Sequence, residues 1–246
     1  MTDSVLLFVA AVFALAGFVK GVVGLGLPTI AMGLLALAMP PAQAAAILVL
    51  PSLVTNVWQM LDGPALRPLA RRLWPMMLGV CVGTWAGIGW IDGGNAKAGS
   101  VLLGAVLALY AAMGLAAWRF PVGAKSQLWF GPGVGAATGL LTAATGVFVI
   151  PAVPYLAAIG LEKDELVQAL GLSFTVSTLA LAVNIAAAGA FGAALVIPTL
   201  AALAAAGVGM GVGQALRARL TPAAFRLWFF AGLLVLGAYL AVRSFI

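Results

Sequence analysis

The sequence predicts an all-α protein that crosses a membrane several times, and its composition and hydropathy pattern carry this prediction. Of the 246 residues, 64% are hydrophobic and 7% are charged, whereas an average soluble domain has about 25% charged residues. Too little polar surface remains to cover a water-soluble globule. Stretches such as 42–61 are apolar on every side. Strands of a membrane β-barrel alternate apolar and polar residues, so helices are the better interpretation.

Charge and rare residue types exclude several function classes. The net charge is +6, but the basic residues lie in short gaps between apolar runs, so no nucleic-acid surface is predicted. With one cysteine, Cys81, and no histidine, the chain has no internal disulfide, and neither a metal site nor a cofactor is predicted. Cys81 lacks a histidine or carboxylate partner that would activate it, so the chain is not predicted to be an enzyme.

Ten apolar runs follow one another along the chain. A full crossing needs about 20 residues. The third, fourth, fifth, eighth, ninth and tenth runs reach that length, and the other four form two pairs joined by glycine-rich chain at 21–26 and 143–146. We interpret each pair as two short pieces of a broken or re-entrant hairpin. The runs are 4–20, 26–39, 42–61, 73–91, 97–118, 129–143, 147–160, 165–189, 194–216 and 224–245.

The order of the runs repeats, and this predicts two similar halves of about five segments each. Residues 1–120 form the first half, residues 127–246 the second, and 119–126 a cytoplasmic linker. Several residues of the first half recur at a fixed offset in the second half. Among these matching residues, glycines four positions apart are interpreted as helix-packing faces. The matches are Gly17 with Gly139 and Gly24 with Gly146 at an offset of 122, and Asn56 with Asn184, Gly79 with Gly207, Gly83 with Gly211 and Gly104 with Gly232 at 128.

The charges predict that the two halves are inverted relative to each other. If each half crosses the membrane an odd number of times, Asp92, Lys97 and Arg243 lie on one side, and the basic residues named at the end of this paragraph lie on the other. This is a positive-inside pattern with both termini outside. Inverted repeats with interrupted helices are typical of secondary transporters, whose substrate sites lie at the interruptions. The residues predicted on the cytoplasmic side are Arg67, Arg71, Arg72, Arg119, Lys125, Arg217, Arg219 and Arg226.

The first candidate for substrate binding is the glycine-rich break after Lys20. Gly24 and Gly26 let the chain unwind, and the helix that begins near Pro28 presents free N–H groups and a positive dipole end. Such a helix start attracts anions, and Lys20 adds a full positive charge. Two alternatives are open: the glycines allow close helix packing only, or Lys20 extends to the membrane interface.

The matching break in the second half has hydroxyl groups where the first has a lysine. Thr142 and Thr145 precede Gly146, and Pro151 follows. Hydroxyls can donate hydrogen bonds to an oxyanion. Two such breaks facing each other at the middle of the bilayer would form a small anion site.

Two asparagines at matching positions are the next candidates. Asn56 and Asn184 could line one cavity, together with Gln43 and Ser173 on the same two helices. The alternative is that these groups only form hydrogen bonds between helices. Further polar residues on these helices are Ser52, Thr55, Gln59, Thr175, Ser177 and Thr178.

The positions of the acidic residues narrow the class of transported ion. All six lie in gaps between apolar runs or at their ends. Proton relays and cation sites in membranes are usually built from carboxylates and histidines. A cation carrier is therefore disfavoured, whereas an anion exporter needs none of these groups.

The segment 17–28, its echo at 139–151, the chain length and the doubled layout resemble the TauE/SafE family of bacterial sulfite exporters. The resemblance implies export of sulfite, a sulfonate or a similar small sulfur oxyanion across the bacterial cytoplasmic (inner) membrane. It also implies that the two glycine-rich breaks hold the substrate. The predicted partners are a small inorganic or organic anion and the lipid bilayer.

Two other functions are open on the sequence alone. The chain could be an anion channel or an importer of another small anion with a similar build. It could also be a non-transporting membrane assembly protein, although such a protein has no need of two polar, glycine-broken hairpins. A homodimer is compatible with all of these.

Overall fold

The computed structural model describes residues 3–91, 96–116, 122–217, 219 and 222–243, and these residues form helices without a strand. The all-α prediction is confirmed. A single 3-10 turn at Ala193–Leu195 precedes the ninth α-helix. The α-helices are α1 Asp3–Val23, α2 Leu27–Leu35, α3 Pro41–Leu61, α4 Leu66–Ala86, α5 Ala96–Leu115, α6 Ala124–Thr145, α7 Ala152–Ala158, α8 Lys163–Ala187, α9 Val196–Leu216 and α10 Pro222–Arg243.

Six helical segments in the described part of the chain are long and apolar enough to cross a membrane, so the protein is a multi-pass membrane protein. They lie in α1, α3, α5, α8, α9 and α10. The fourth run was predicted to cross as well. Its helix, α4, has 21 residues but is less apolar, because Arg67, Arg71 and Arg72 occupy its first two turns.

The prediction that both pieces of each broken pair are short is wrong for the first piece. α1 has 21 residues and α6 has 22, because each helix continues to the glycine break itself. Only the second pieces are short, with 9 residues in α2 and 7 in α7. α6 begins at Ala124, so the predicted linker 119–126 overlaps it; residues 119–121 of that linker lie outside the described residues.

The breaks themselves lie where the glycines predicted them. α1 ends at Val23, and Gly24 and Gly26 follow with φ of 78° and 110°. α6 ends at Thr145, and Gly146 follows with φ of 70°. Residues with a β-carbon rarely adopt these left-handed backbone angles. Glycine therefore allows the chain to turn out of the helix at both places.

The helices pack in pairs that connect the two halves. α1 packs on α9, α4 on α6, α3 on α8, and α5 on α10. In the predicted repeat, each of α1 to α5 corresponds to the helix five places later, α6 to α10. If the two halves are exchanged in this way, the α1–α9 pair becomes the α6–α4 pair and the reverse, and the α3–α8 and α5–α10 pairs stay the same. This pattern supports the predicted two-fold relation between the halves, and the inversion across the membrane stays a prediction.

The α1–α9 and α4–α6 contacts both contain closely packed glycines. A β-carbon on Gly17 would lie 2.2 Å from the carbonyl oxygen of Ala206. One on Gly135 would lie 2.0 Å from that of Met76. Both glycines therefore allow two helix backbones to touch, as small residues do in membranes.

The register of this packing differs from the register that the sequence matches predicted. Gly209 touches Ala14, with 2.1 Å from an added β-carbon to its carbonyl oxygen, and Gly213 touches Phe18 in the same way. Gly207 and Gly211, which were predicted to pack, have nothing within 4 Å of an added β-carbon. α9 has a glycine at every second position from 207 to 213. Residue matches between the two halves therefore could not distinguish the packed pair, Gly209 and Gly213, from the exposed pair.

Side-chain hydrogen bonds of Arg72 join α4 to the start of α6 and to the end of α7 at one end of the bundle. The Arg72 guanidinium donates to Gln127 Oε1 at 2.9 Å and to the carbonyl of Ile159 at 2.7 Å. Arg243 lies near the opposite end, where it donates to the carbonyl of Leu37 at 3.4 Å. This separation agrees with the predicted charge distribution, although Asp92, Arg119 and the side chains of Lys97 and Lys125 lie outside the described residues.

Candidate functional site

Lys20 is buried in the last turn of α1, with 2% of its surface exposed. Its ammonium group donates a hydrogen bond to Asn56 Oδ1 on α3. Asn56 is held in that orientation, because its Nδ2 donates to Ser52 Oγ at 3.0 Å and to Thr178 Oγ1 at 3.2 Å. Lys20 therefore does not extend to the membrane interface.

The two hydroxyls beside Asn56 complete a connected polar group. Thr178 donates to the carbonyl of Phe174 at 2.6 Å, so its oxygen is free to accept from Ser52 at 3.2 Å. Ser52, Asn56 and Thr178 are fully buried. We call Lys20, Ser52, Asn56 and Thr178 the Lys20 cluster; it joins α1, α3 and α8.

The ammonium group of Lys20 has N–H donors without a described partner. An ammonium group has three N–H donors, and Asn56 accepts from one of those of Lys20. Ser173 and Ser177, one turn apart on α8, are fully buried and have no hydrogen-bond partner among the described residues. Buried polar groups normally have partners, so the two remaining N–H donors of Lys20 indicate a place for a ligand with acceptor oxygens. Ser173 and Ser177 lie about 140° and 100° around α8 from Thr178, so they are not on the face that contacts Asn56.

Lys20 has no carboxylate beside it in the described part of the chain. Asp3, Asp62, Glu162 and Asp164 are exposed at helix ends, and Glu165 is half-exposed in the first turn of α8. A buried charge without a partner costs several kcal/mol even after the surroundings relax. A bound anion would supply the missing opposite charge.

Gln59, one turn beyond Asn56 on α3, connects the first break to α8. Its Nε2 donates to the carbonyl of Gly24 and to that of Val167, both at 2.9 Å. Gln59 lies between the Lys20 cluster and the end of the bundle that carries Arg72. It therefore closes the cluster on that side.

The hydroxyls of the second break are bonded to their own helix. Thr142 donates to the carbonyl of Thr138 at 2.7 Å, and Thr145 donates to that of Leu141 at 2.6 Å and accepts from the N–H of Val147 at 3.2 Å. These bonds occupy the donors that were predicted to contact an oxyanion.

The two breaks contact different parts of the protein. Gly24 lies against Gln59 and Val167, whereas an added β-carbon on Gly146 would lie 2.8 Å from Met32 Cε on α2. Met32 is six residues from Gly26, or about 9 Å along a helix. The described contacts do not bring the two breaks face to face.

Asn184 and Gln43 lie away from the Lys20 cluster. Asn184 Nδ2 is 3.5 Å from the carbonyl of Thr84. Both residues are buried, at the inner wall of a groove of about 440 Å³ between α4 and α8. Asn184 is six residues, about 9 Å, from Thr178 along α8. Gln43 is in the first turn of α3, about 20 Å from Asn56 along that helix.

The sequence pointed to Lys20, Asn56 and Ser173 but did not select Ser52, Gln59, Ser177 or Thr178. All four are polar residues on α3 or α8. The four-residue spacing of Ser52 and Asn56 places them on one helix face and is a local signal. The contact with Thr178 joins residues 126 and 122 positions apart and has no local signal.

The fold and this site define a multi-pass helical membrane protein with a buried cationic polar cluster. A family model described as Sulfite exporter TauE/SafE matches residues 9–240, and the chain belongs to that family. The family is one of membrane transporters, and the resemblance seen in the sequence is confirmed. No curated protein and no solved structure was found to match the chain.

Proposed function

We propose that the protein exports a small sulfur oxyanion, such as sulfite or a sulfonate, from the cytoplasm across the bacterial inner membrane. The observation that carries this proposal is Lys20, a buried cation with neutral hydrogen-bond partners and no carboxylate in the described surroundings. The family membership supports export as the direction and sulfite as the kind of substrate.

The proposed binding site is the Lys20 cluster with the unpaired hydroxyls of Ser173 and Ser177. Gly24 and Gly26 belong to it because they end α1 one turn beyond Lys20 and permit the chain to move there. Thr142, Thr145 and Gly146 would contribute only if the second break opens. Gln43 is left out because it lies about 20 Å from Asn56 along α3, and Asn184 because its amide contacts the carbonyl of Thr84 on α4.

Transport requires the cluster to open, because Lys20 is closed off from both sides of the protein in this structure. No residue of the Lys20 cluster lines the grooves between α4 and α8, between α3 and α9, or between α1, α2 and α10. In our proposal, release of the Gln59 amide from Gly24 and Val167 exposes Lys20 to the cytoplasm. Opening toward the other side then releases the anion.

The membrane potential can drive this export without a coupled ion. With the cytoplasm negative, each negative charge that leaves gains about 2.3 kcal/mol per 100 mV. That corresponds to roughly a fortyfold concentration ratio at 100 mV. The absence of buried carboxylates in the described residues agrees with a carrier of this kind.

The proposal is tested with purified protein in liposomes loaded with radiolabelled sulfite. We expect sulfite efflux that exceeds that of protein-free liposomes, saturates with substrate and accelerates when the interior is made negative. Efflux that increases linearly with sulfite indicates a channel instead. Efflux equal to that of protein-free liposomes, for both sulfite and methanesulfonate, excludes the proposed function.

Gln59→Leu is expected to loosen the first break. The substitution removes two hydrogen bonds, worth about 1 kcal/mol each, between the helix end at Gly24, α3 and α8. We expect faster amide hydrogen exchange over residues 20–28 and a lower melting temperature.

The matched control is Gln43→Leu on the same helix, because Gln43 forms no side-chain hydrogen bond to the described residues. It should leave exchange over residues 20–28 unchanged. Equal exchange in the two variants would show that Gln59 does not hold the break closed.

A further inference from the structure

We infer that the anion bound by the Lys20 cluster carries a single negative charge, as hydrogensulfite and monosulfonates do, and that dianions such as sulfate are rejected. This inference rests on the proposed function and specifies its substrate class. It is carried by a count of the charges and of the hydrogen-bond donors that the buried site offers.

The site offers one positive charge. Apart from Lys20, every described basic side chain is exposed. Arg67, Arg71 and Arg72 lie at the start of α4, and the others lie at or near helix ends. The charged residues on the helices packed against α1 and α3 are also at helix ends: Lys163, Asp164 and Glu165 begin α8, and Arg217 follows α9.

The remaining partners are neutral. Asn56, Ser52 and Thr178 are already bonded to one another, so they fix the position of Lys20 and add no charge. Ser173 and Ser177 each offer one O–H donor. The two remaining N–H donors of Lys20 can bind the oxygens of a compact oxyanion. The two hydroxyls lie about 100–140° around α8 from Thr178, so they join the site only if α8 rotates when the anion binds.

A single charge on the ligand makes the loaded site neutral. A second negative charge would be left without a partner among helices that are apolar on their other faces, and buried charges in that situation are strongly disfavoured. Hydrogen bonds from neutral hydroxyls replace only part of the water that a dianion loses. We therefore expect a monoanion to bind on the order of a hundredfold more tightly than a dianion of similar size.

The experiment compares methanesulfonate with sulfate, which differ in charge but both present oxygens on a tetrahedral sulfur. Binding to the purified full chain in lipid nanodiscs is measured by calorimetry, and by the rise in melting temperature with ligand. We expect methanesulfonate to bind and sulfate to bind at least tenfold more weakly. Sulfate affinity equal to or greater than that of methanesulfonate overturns the inference.

A pH series adds an independent measurement with sulfite itself. As the pH rises through the range in which hydrogensulfite loses its proton, the affinity for total sulfite should fall. Methanesulfonate keeps its charge over that range and corrects for any titration of the protein, so the ratio of the two affinities is the quantity compared. A ratio that stays constant, or that shifts toward sulfite as the pH rises, overturns the inference.

The outcomes separate the inference from the proposed function. If sulfate and methanesulfonate bind equally and Lys20→Met weakens both, the proposed site stands and only the charge selection is wrong. If neither anion nor sulfite binds to the wild-type chain, the proposed function fails and the inference fails with it. Lys163→Met, at an exposed lysine, is the control for loss of positive charge as such.

Discussion

Lys20→Met is expected to reduce sulfite efflux from liposomes by at least tenfold and to remove measurable binding of methanesulfonate. The substitution keeps an unbranched side chain of similar length but removes the only buried positive charge among the described residues. Hydrogen bonds to a charged group contribute about 1.5–3 kcal/mol each, which corresponds to roughly a tenfold to hundredfold loss of affinity.

The matched control is Lys163→Met, which changes the net charge equally but acts at an exposed position in the first turn of α8. Its efflux should remain close to that of the wild type. The Lys20 variant should still fold, because replacing a buried charge by an apolar side chain is often neutral or stabilising. Normal efflux by a folded Lys20→Met protein would remove Lys20 from the site.

Gly209→Ala is expected to be the more damaging of two glycine substitutions on α9. The added β-carbon would lie 2.1 Å from the carbonyl oxygen of Ala14, so α1 and α9 must move apart. Forcing extra volume into a close-packed contact typically costs about 1–3 kcal/mol. We expect a fall of several degrees in melting temperature and a lower yield of folded protein.

Gly211→Ala, two residues away on the same helix, is the control for Gly209→Ala. An added β-carbon there has nothing within 4 Å, and alanine is the better helix former. Its melting temperature should equal or exceed that of the wild type. If both variants lose the same stability, the packing register of α9 differs from the one described above.

The helical class and the breaks could be predicted from the sequence because they depend on local properties. Residues 42–61 are mostly apolar, and the corresponding helix, Pro41–Leu61, is among the spanning segments. Gly24 and Gly146 were predicted to interrupt helices, and both have left-handed backbone angles. The lengths of α1 and α6 were underestimated, because the polar or small residues near their ends continue the helix when neighbouring helices pack against them.

The candidate site was only partly predictable. Lys20 and Asn56 were chosen for separate reasons, one as a charge beside a break and the other as a repeat-related amide, and the fold joins them in one hydrogen bond. Asn184 was chosen by the same repeat argument, yet its buried amide contacts the carbonyl of Thr84 on α4 and not the Lys20 cluster. Matching positions in two halves therefore did not imply a shared cavity.

By itself, the sequence determined that this protein is a bundle of membrane helices broken at two glycine-rich places, since hydropathy and backbone freedom belong to each segment alone. The tertiary structure decided which side chains meet. The directions in which Gly209 and Gly211, two residues apart, face from the helix axis differ by about 200°. The rotation that each helix adopts depends on partners far away in the chain. This rotation places Lys20 beside Asn56 and Asn184 beside Thr84.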